Sequence, residues 1–250
     1  MISGSIASIW KIRFGKEFTM NIFVIPDVHL KPRMFQKADE LLKDRPADAV
    51  VMLGDIPDDW GCEHNIGLYT DTYLAAEKFC KEHQETYFCL GNHDLSYEYG
   101  EFESGYSYLA RYTVVEGTRM IRAALPEDHV KVMHYLGGVL FSHAGLTMDF
   151  AEVYELSSDP AEAAEAVNEM GKKKLWQDVS PIWARPQYGY HKTWPEGILQ
   201  VVGHTPVDAP FMKNGFLTLD TFSTYKDGTP IGTCEFIYLD TEKGKYEGVR

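Results

Sequence analysis

Long apolar runs are missing from this chain. No stretch of its 250 residues approaches the roughly 18 consecutive apolar residues that a membrane-spanning helix needs. Cysteine is scarce as well. Cys62, Cys80, Cys89 and Cys234 form no CxxC pair and fit no zinc-ribbon spacing, so they read as small buried hydrophobes in a reducing, cytoplasmic compartment. Positive charge is in short supply: Lys and Arg number 24 against 37 Asp and Glu, a formal net charge of −13. An acidic surface repels DNA, RNA and anionic membranes, which argues against tight nucleic-acid binding and a membrane partner. An anionic substrate stays open, because a metal centre can reverse the field locally. Repeats, low-complexity tracts and clear linkers are also lacking. A signal peptide is not expected either, since Lys11, Arg13 and Lys16 follow the first apolar residues instead of preceding them. Residues 1–19 are expected to form a disordered extension, and residues 20–250 one domain.

What the chain does have is a series of short apolar runs, each ending in an acid, an amide or a histidine. Asn21 to Pro26 reads as a buried strand and delivers Asp27-Val28-His29 into a loop. Residues 33–44 follow as an amphipathic helix, with Met34, Phe35, Ala38, Leu41 and Leu42 on one face. Ala49 to Leu53 is a second strand, ending at Gly54-Asp55 ahead of a loop with Asp58, Asp59 and Trp60. A helix is expected over residues 66–83, then a third strand from Tyr87 to Leu90. That strand runs into Gly91-Asn92-His93-Asp94. Alone, this stretch reads equally well as a solvated turn.

Residues 95–126, rich in tyrosine, read as an irregular excursion with one short helix, either packed on itself or walling a site. Val130 to Tyr135 and Gly138 to Phe141 form a hairpin whose second strand ends at Ser142-His143. Asp159-Pro160 starts a helix expected to reach Trp176. Ile198 to Val202 is another strand, ending at Gly203-His204. Phe216 to Leu219 and Glu235 to Leu239 are late strands, expected to be antiparallel. Strands alternating with helices predict a layered α/β fold, with ligands at the strands' C-terminal edge.

Gathered at that edge are Asp27, His29, Asp55, Asn92, His93, Asp94, His143 and His204. Oxygen and imidazole donors without thiolates suit manganese, iron or zinc. Two ions account for this many donors better than one, with a carboxylate such as Asp55 able to bridge them. Two such ions activate a water and clamp the oxygens of an in-line phosphoryl displacement. His64, His83, His129, His134 and His191 lie outside these runs and read as structural or surface residues; Trp183 and Trp194 read as packing.

In order, Asp27-x-His29, Gly54-Asp55, Gly91-Asn92-His93-Asp94, His143 and Gly203-His204 resemble the five signature blocks of the calcineurin-like metallophosphoesterases. Gly203-His204-Thr205-Pro206 and the loop 183–186 resemble most closely the phosphoprotein phosphatase branch, which includes bacterial diadenosine tetraphosphate hydrolases. The resemblance implies a four-layer α/β (α+β) fold, two central mixed β-sheets flanked by helices. It implies two divalent ions, manganese first and iron or zinc otherwise. Asp27, His29 and Asp55 would hold one; Asp55, Asn92, His143 and His204 the other. A water activated between them would attack the phosphate ester. His93 would protonate the leaving oxygen with Asp94 orienting it, and Arg185 with Asn92 would bind substrate phosphate. The implied activity is a phosphomonoesterase like the Ser/Thr protein phosphatases, with a dinucleoside polyphosphate hydrolase or a phosphodiesterase as alternatives. The substrate would be a phosphoprotein, a small phosphoester or a nucleotide.

Two departures bear on that choice. The first block reads Pro26-Asp27-Val28-His29-Leu30, without the family's flanking glycines. The second reads Gly54-Asp55-Ile56-Pro57-Asp58-Asp59-Trp60, with Asp59 where the family has a phosphate-binding arginine. Lys31 or Arg33 offers a replacement cation. Asp58 reads either as a hydrogen-bond partner behind the site or as a turn cap.

Overall fold

A computed structural model describes residues 19–189 and 191–250. The extension expected over residues 1–19 therefore lies outside the described residues, apart from Thr19. Three strands open the fold: β1 (Asn21–Ile25), β2 (Ala49–Met52) and β3 (Thr86–Cys89). Apart from Asn21 and Thr86 at their starts, these strands are apolar because both faces are covered. Ile22, Val24, Val51 and Cys89 pack against the second sheet, while Phe23, Ile25, Val50, Met52 and Phe88 pack against helices. Helices α1 (Arg33–Asp44) and α2 (Ile66–Glu82) form where expected. Asn65 caps α2, its side chain accepting the Leu68 N–H.

The first sheet has the order β11-β10-β1-β2-β3-β4, with β4 at Val130–Lys131, β10 at Phe236–Asp240 and β11 at Lys245–Val249. Strands β1 to β4 are parallel, and β10 and β11 add antiparallel. The second sheet runs β5-β6-β7-β9-β8, from β5 (Met133–Leu136), β6 (Val139–Ser142), β7 (Leu199–Val202), β8 (Phe211–Lys213) and β9 (Phe216–Thr218). Phe141, Val201 and Leu217 of this sheet meet Ile22 and Val24 of the first in the layer between them. Two mixed sheets between helices are the architecture expected.

Four local expectations are corrected. Residues 95–126 hold two helices, α3 (Asn92–Tyr99) and α4 (Arg111–Ala124). Helix α4 packs on α2 at a glycine: a Cβ on Gly117 would lie 2.3 Å from the Tyr73 ring. Val130 to Tyr135 is two strands, because the chain leaves the first sheet at Val132 and joins the second. The helix expected to reach Trp176 stops sooner, as α6 (Pro160–Asn168), and a short α7 (Lys172–Leu175) follows Gly171; α5 (Met148–Val153) precedes both. Asn168 links the last two corrections. Its Oδ1 accepts the N–H groups of Val132 and Met133 at 3.1 and 2.9 Å, supplying the hydrogen bonds the ladder loses at the switch. Finally, of the late strands expected to be antiparallel, β10 is, whereas β9 is antiparallel to β8 but parallel to β7. The C-terminal end of β9 therefore opens on the same edge as β1, β2, β3, β6 and β7.

Candidate metal centre

Six parallel strands end at one edge, and each contributes a loop. Asp27 and His29 follow β1, Asp55 follows β2, and Asn92 and His93 open α3 after β3. His143 follows β6, His204 follows β7, and Asp220 follows β9. The turns are sharp. His29, Asp55, Asp58 and His204 all have positive φ, at 42°, 49°, 66° and 63°. Each such non-glycine residue costs about 1–2 kcal/mol, a strain that the packed sheets beneath must hold.

The structure brings together two ligand clusters that share one carboxylate. Asp27, His29 and Asp55 offer atoms that all lie within 4.8 Å of one another, and so do Asp55, His143 and His204. Asn92 joins the second cluster, its Oδ1 3.0 Å from His143 Nε2. Two histidines have their outer nitrogen fixed by a carbonyl, leaving Nε2 aimed inward. His143 Nδ1 meets the Leu53 carbonyl at 2.7 Å, and His29 Nδ1 meets that of Asp58 at 2.8 Å. Around His143 Nε2 stand His204 Nδ1 at 3.1 Å and Asp55 Oδ2 at 3.2 Å. These are mostly acceptors facing acceptors, which a cation reconciles. Asp27 Oδ1 and His204 Nε2 are buried with no hydrogen-bond partner. A buried orphan acceptor costs about 1–3 kcal/mol, so Asp27 Oδ1, on a carboxylate of the first cluster, fits a divalent ion. The glycines fit too. A Cβ on Gly91 would lie 2.1 Å from Asp55 Oδ1, and one on Gly203 would lie 1.8 Å from Asp27 Oδ1. Only glycine lets the backbone pass so close to both carboxylates.

Charges interact strongly here. Burial pushes the Asp27 carboxyl up, aided by Asp220, while His143 opposes it. Burial acts on Asp55 in the same direction, yet His143, His93 and His29 outweigh it and hold that carboxyl well below its usual range. Burial disfavours protonated His143 and His93, but Asp55 overrides it and raises them to about 10 and about 9. His204 is lowered, by burial first and then by His143 and Arg185.

The orienting partner of His93 is Asp58, and the expected role of Asp94 is corrected. His93 Nδ1 lies 2.9 Å from Asp58 Oδ2. Asp94 is the third residue of α3, and its side chain turns back to the helix start. It accepts the N–H groups of Asp55 at 2.7 Å, Gly91 at 2.9 Å and Ile56 at 3.1 Å. Unpaired N–H groups at a helix N-terminus draw a carboxylate at that position. Asp94 thus ties the second loop to the third and does not face His93. The stretch 91–94 is a helix start, and not the loop that its composition implied.

The substituting cations are corrected as well. Lys31 Nζ is engaged by Asp59 Oδ2 and by the His29 carbonyl, both at 3.0 Å, and Arg33 is exposed on α1. Neither lines the cavity over the clusters. Among the described residues, the cations that do are Arg185 and Lys226. Arg185 Nη1 reaches Thr205 Oγ1 at 3.0 Å and the His204 carbonyl at 3.3 Å, which leaves most of its donors available. The cavity, about 380 Å³, is walled by Trp60, Glu103, Ser104, Trp183, Asp220 and Tyr225 as well. Trp183 packs as expected, against the core and with its ring edge-on to His204 at 5.5 Å, and it also lines the cavity. None of the tyrosines between 97 and 112 lines the cavity. Asp220 was missed in sequence, although Phe216-Leu217-Thr218-Leu219-Asp220 repeats the pattern of an apolar run ending in an acid. The remaining histidines sit apart, for example His83 on Asp39 and His191 on Asp149.

A family model described as calcineurin-like phosphoesterase matches residues 20–226. Among solved structures, the chain is similar to a metallophosphoesterase from Sphaerobacter thermophilus, at 14% identity over 93% of this chain and 88% of that one, with a TM-score of 0.47. It is similar to a protein serine/threonine phosphatase from Saccharomyces cerevisiae, at 14% identity over 88% of this chain and 72% of that one, with a TM-score of 0.49. It is also similar to an archaeal phosphodiesterase, at 14% identity over 92% and 99% of the two chains, with a TM-score of 0.42. No curated protein sequence matches it.

Proposed function

The chain belongs to the calcineurin-like phosphoesterase family, a family of metal-dependent hydrolases of phosphate esters, and on that premise we propose that it is a two-metal phosphomonoesterase. The observation that carries this is the shared carboxylate: two ligand clusters meet at Asp55, beneath a cavity that also holds His93 and Arg185. Asp27, His29 and Asp55 would hold one divalent ion, and Asp55, Asn92, His143 and His204 the other. Ions held there would acidify a water and offset charge on the phosphoryl oxygens. The donor set of oxygens and imidazoles supports manganese first, with iron or zinc as alternatives.

The rest of the work falls to side chains. Arg185 presents a planar guanidinium to two phosphoryl oxygens. As the P–O bond to the leaving group breaks, His93 gives its Nε2 proton to the departing oxygen, and Asp58 keeps the opposite ring nitrogen in place. A cavity of about 380 Å³ is large enough for a phosphorylated side chain or a nucleotide. A second reading, hydrolysis of a dinucleoside polyphosphate, is favoured by the cavity rim. Trp60 and Tyr225 line it with exposed rings, and Lys226 Nζ lies 4.8 Å above the Trp60 ring. Such a rim suits a base and a second phosphate better than a bare phosphoserine. The free thiols of all four cysteines support a reducing, cytoplasmic setting.

The test is a substrate panel with manganese, nickel and zinc supplied separately: p-nitrophenyl phosphate, a phosphopeptide, diadenosine tetraphosphate and bis-p-nitrophenyl phosphate. Metal-dependent turnover of p-nitrophenyl phosphate is expected, lost on chelation and restored by manganese. His93→Ala should lower it by about 10²- to 10⁴-fold. No turnover of any monoester with any metal, or an undiminished rate in His93→Ala, overturns the reading. Faster turnover of diadenosine tetraphosphate than of either monoester selects the second.

A further inference from the structure

Behind His93 lies a buried hydrogen-bond chain that begins on two tyrosines. Asp58 is almost fully buried, and three donors converge on its carboxylate. Oδ2 faces His93 Nδ1 at 2.9 Å. Oδ1 accepts the hydroxyls of Tyr69 at 2.7 Å and Tyr97 at 2.5 Å. The chain extends one step further, because the Ser107 N–H donates to the Tyr97 hydroxyl oxygen at 2.9 Å. The elements involved are distinct: Tyr69 is on α2, Tyr97 on α3, and Ser107 in the loop before α4. Both tyrosine side chains are buried, and the Tyr97 ring stacks on Tyr106 at 4.2 Å.

We propose that Tyr69 and Tyr97 are positioning residues for proton donation, fixing the Asp58 carboxylate so that His93 holds its Nε2 proton toward the leaving-group oxygen; this rests on the phosphoesterase reading above.

The geometry gives the reason. A carboxylate held only by an imidazole can rotate about Cβ–Cγ and carry the ring with it. Two hydroxyls on Oδ1 stop that rotation and leave Oδ2 for His93. They also share the carboxylate's charge, which weakens its pull on the Nδ1 proton. The proton step then balances simply. The bond from phosphorus to the leaving oxygen breaks, the Nε2 proton moves to that oxygen, and Nδ1–H stays on Asp58. The tyrosines donate hydrogen bonds and lose no proton. Burial, with Asp58 beside them, pushes both hydroxyls far above the usual phenol range, so they remain donors at any working pH. Asp58 has a second attachment that does not involve the carboxylate: its backbone carbonyl holds His29 Nδ1 at 2.8 Å.

The test uses the full chain loaded with manganese and the variants Tyr69→Phe, Tyr97→Phe and the double variant. Tyr106→Phe is the control, since that residue shares the stack without touching Asp58. The readout is the ratio of kcat on p-nitrophenyl phosphate, whose leaving group hardly needs a proton, to kcat on a phosphoserine peptide, whose alkoxide does. Each single variant is expected to raise the ratio by about tenfold, part of the 10²–10⁴ that a general acid contributes. KM and metal content should change little; Tyr97→Phe, which leaves the buried Ser107 N–H without its acceptor, should also lower Tm by several degrees, and Tyr106→Phe should leave the ratio alone. Equal loss on both substrates, or loss that follows metal content, overturns the proposal. A second measurement needs no activity. In the metal-free chain, the downfield Nδ1 proton of His93, identified by its absence from His93→Ala, should shift or broaden in the double variant. An unchanged resonance there also overturns the positioning role. Failure of the phosphoesterase reading is a different outcome: a wild-type chain that turns over no monoester, whatever the resonance does.

Discussion

Two aspartates at the centre have opposite assignments, and single substitutions separate them. Asp58 touches His93, the proposed proton donor, whereas Asp94 touches only backbone N–H groups. Asp58→Asn keeps the shape and removes the charge behind His93. Its kcat on a phosphoserine peptide is expected to fall about a hundredfold, within the range of general-acid effects, at unchanged metal content. Asp94→Asn leaves a single oxygen for three N–H donors, so at least one becomes a buried orphan. That should cost roughly 1–3 kcal/mol in stability and lower Tm by several degrees, with a smaller change in kcat. Urea titration and steady-state rates on both variants decide the matter. A larger kcat loss in Asp94→Asn at equal metal occupancy would return the orienting role to Asp94. The pair also marks a limit of reading in one dimension. Asp94 adjoins His93 in sequence and Asp58 is 35 residues away, but the first turn of α3 carries the near one out of reach.

At the scale of elements, the site depends on how closely loops from different strands approach. Gly203, after β7, lies against Asp27 after β1, and Gly91, after β3, lies against Asp55 after β2. A methyl group on Gly203 would sit 1.8 Å from Asp27 Oδ1, so either the carboxylate or the β7 loop must move. Gly203→Ala is expected to weaken metal retention by about 10- to 100-fold, the range for disturbing the groups that orient ligands. Gly171→Ala is the matched control, since a Cβ there has nothing within 4 Å and φ is ordinary. Metal per chain after dialysis is the measurement, and equal retention in both variants would remove the steric argument. The parallel course of β9 matters in the same way, because an antiparallel β9 would send Asp220 to the far edge.

For the molecule as a whole, the histidines outside the site govern part of the response to acid. His134, on β5, is buried against Tyr87 and hydrogen-bonds to the Phe88 carbonyl. Burial first, with Lys131 adding to it and the Phe88 bond opposing, lowers its pKa from 6.5 to about 4. The sign follows from linkage: between these values the unfolded chain binds more protons than the folded one. Stability from this residue is thus complete above about pH 6.5 and is lost as pH falls toward 4, by about 3 kcal/mol in all. Urea midpoints of wild type and His134→Gln at pH 7 and pH 5 test this. The difference between wild type and variant should shrink or reverse at the lower pH. A difference that stays constant shows that His134 does not set the acid limb. Among the described residues, no helix is long and apolar enough to cross a membrane.

Much of this was legible in the chain itself. Apolar runs of four or five residues that end in Asp, Asn or His, alternating with amphipathic helices, point to buried parallel strands. The polar residues that end them must then collect at one edge. That reasoning reached the two-sheet fold, and it named Asp27, His29, Asp55, Asn92, His143 and His204, which the structure brings to one edge, and Arg185, which lines the cavity above them. The tertiary structure decided what depends on direction and reach. It decided that β9 runs parallel and brings Asp220 in, that Asp94 caps α3, and that Lys31 serves Asp59. It decided as well that two tyrosines from different helices stand behind Asp58. Spacing along a strand determines which residues arrive at the edge. Side-chain rotation at positive φ and contacts between distant segments determine which of them meet, and no local pattern in the sequence records those.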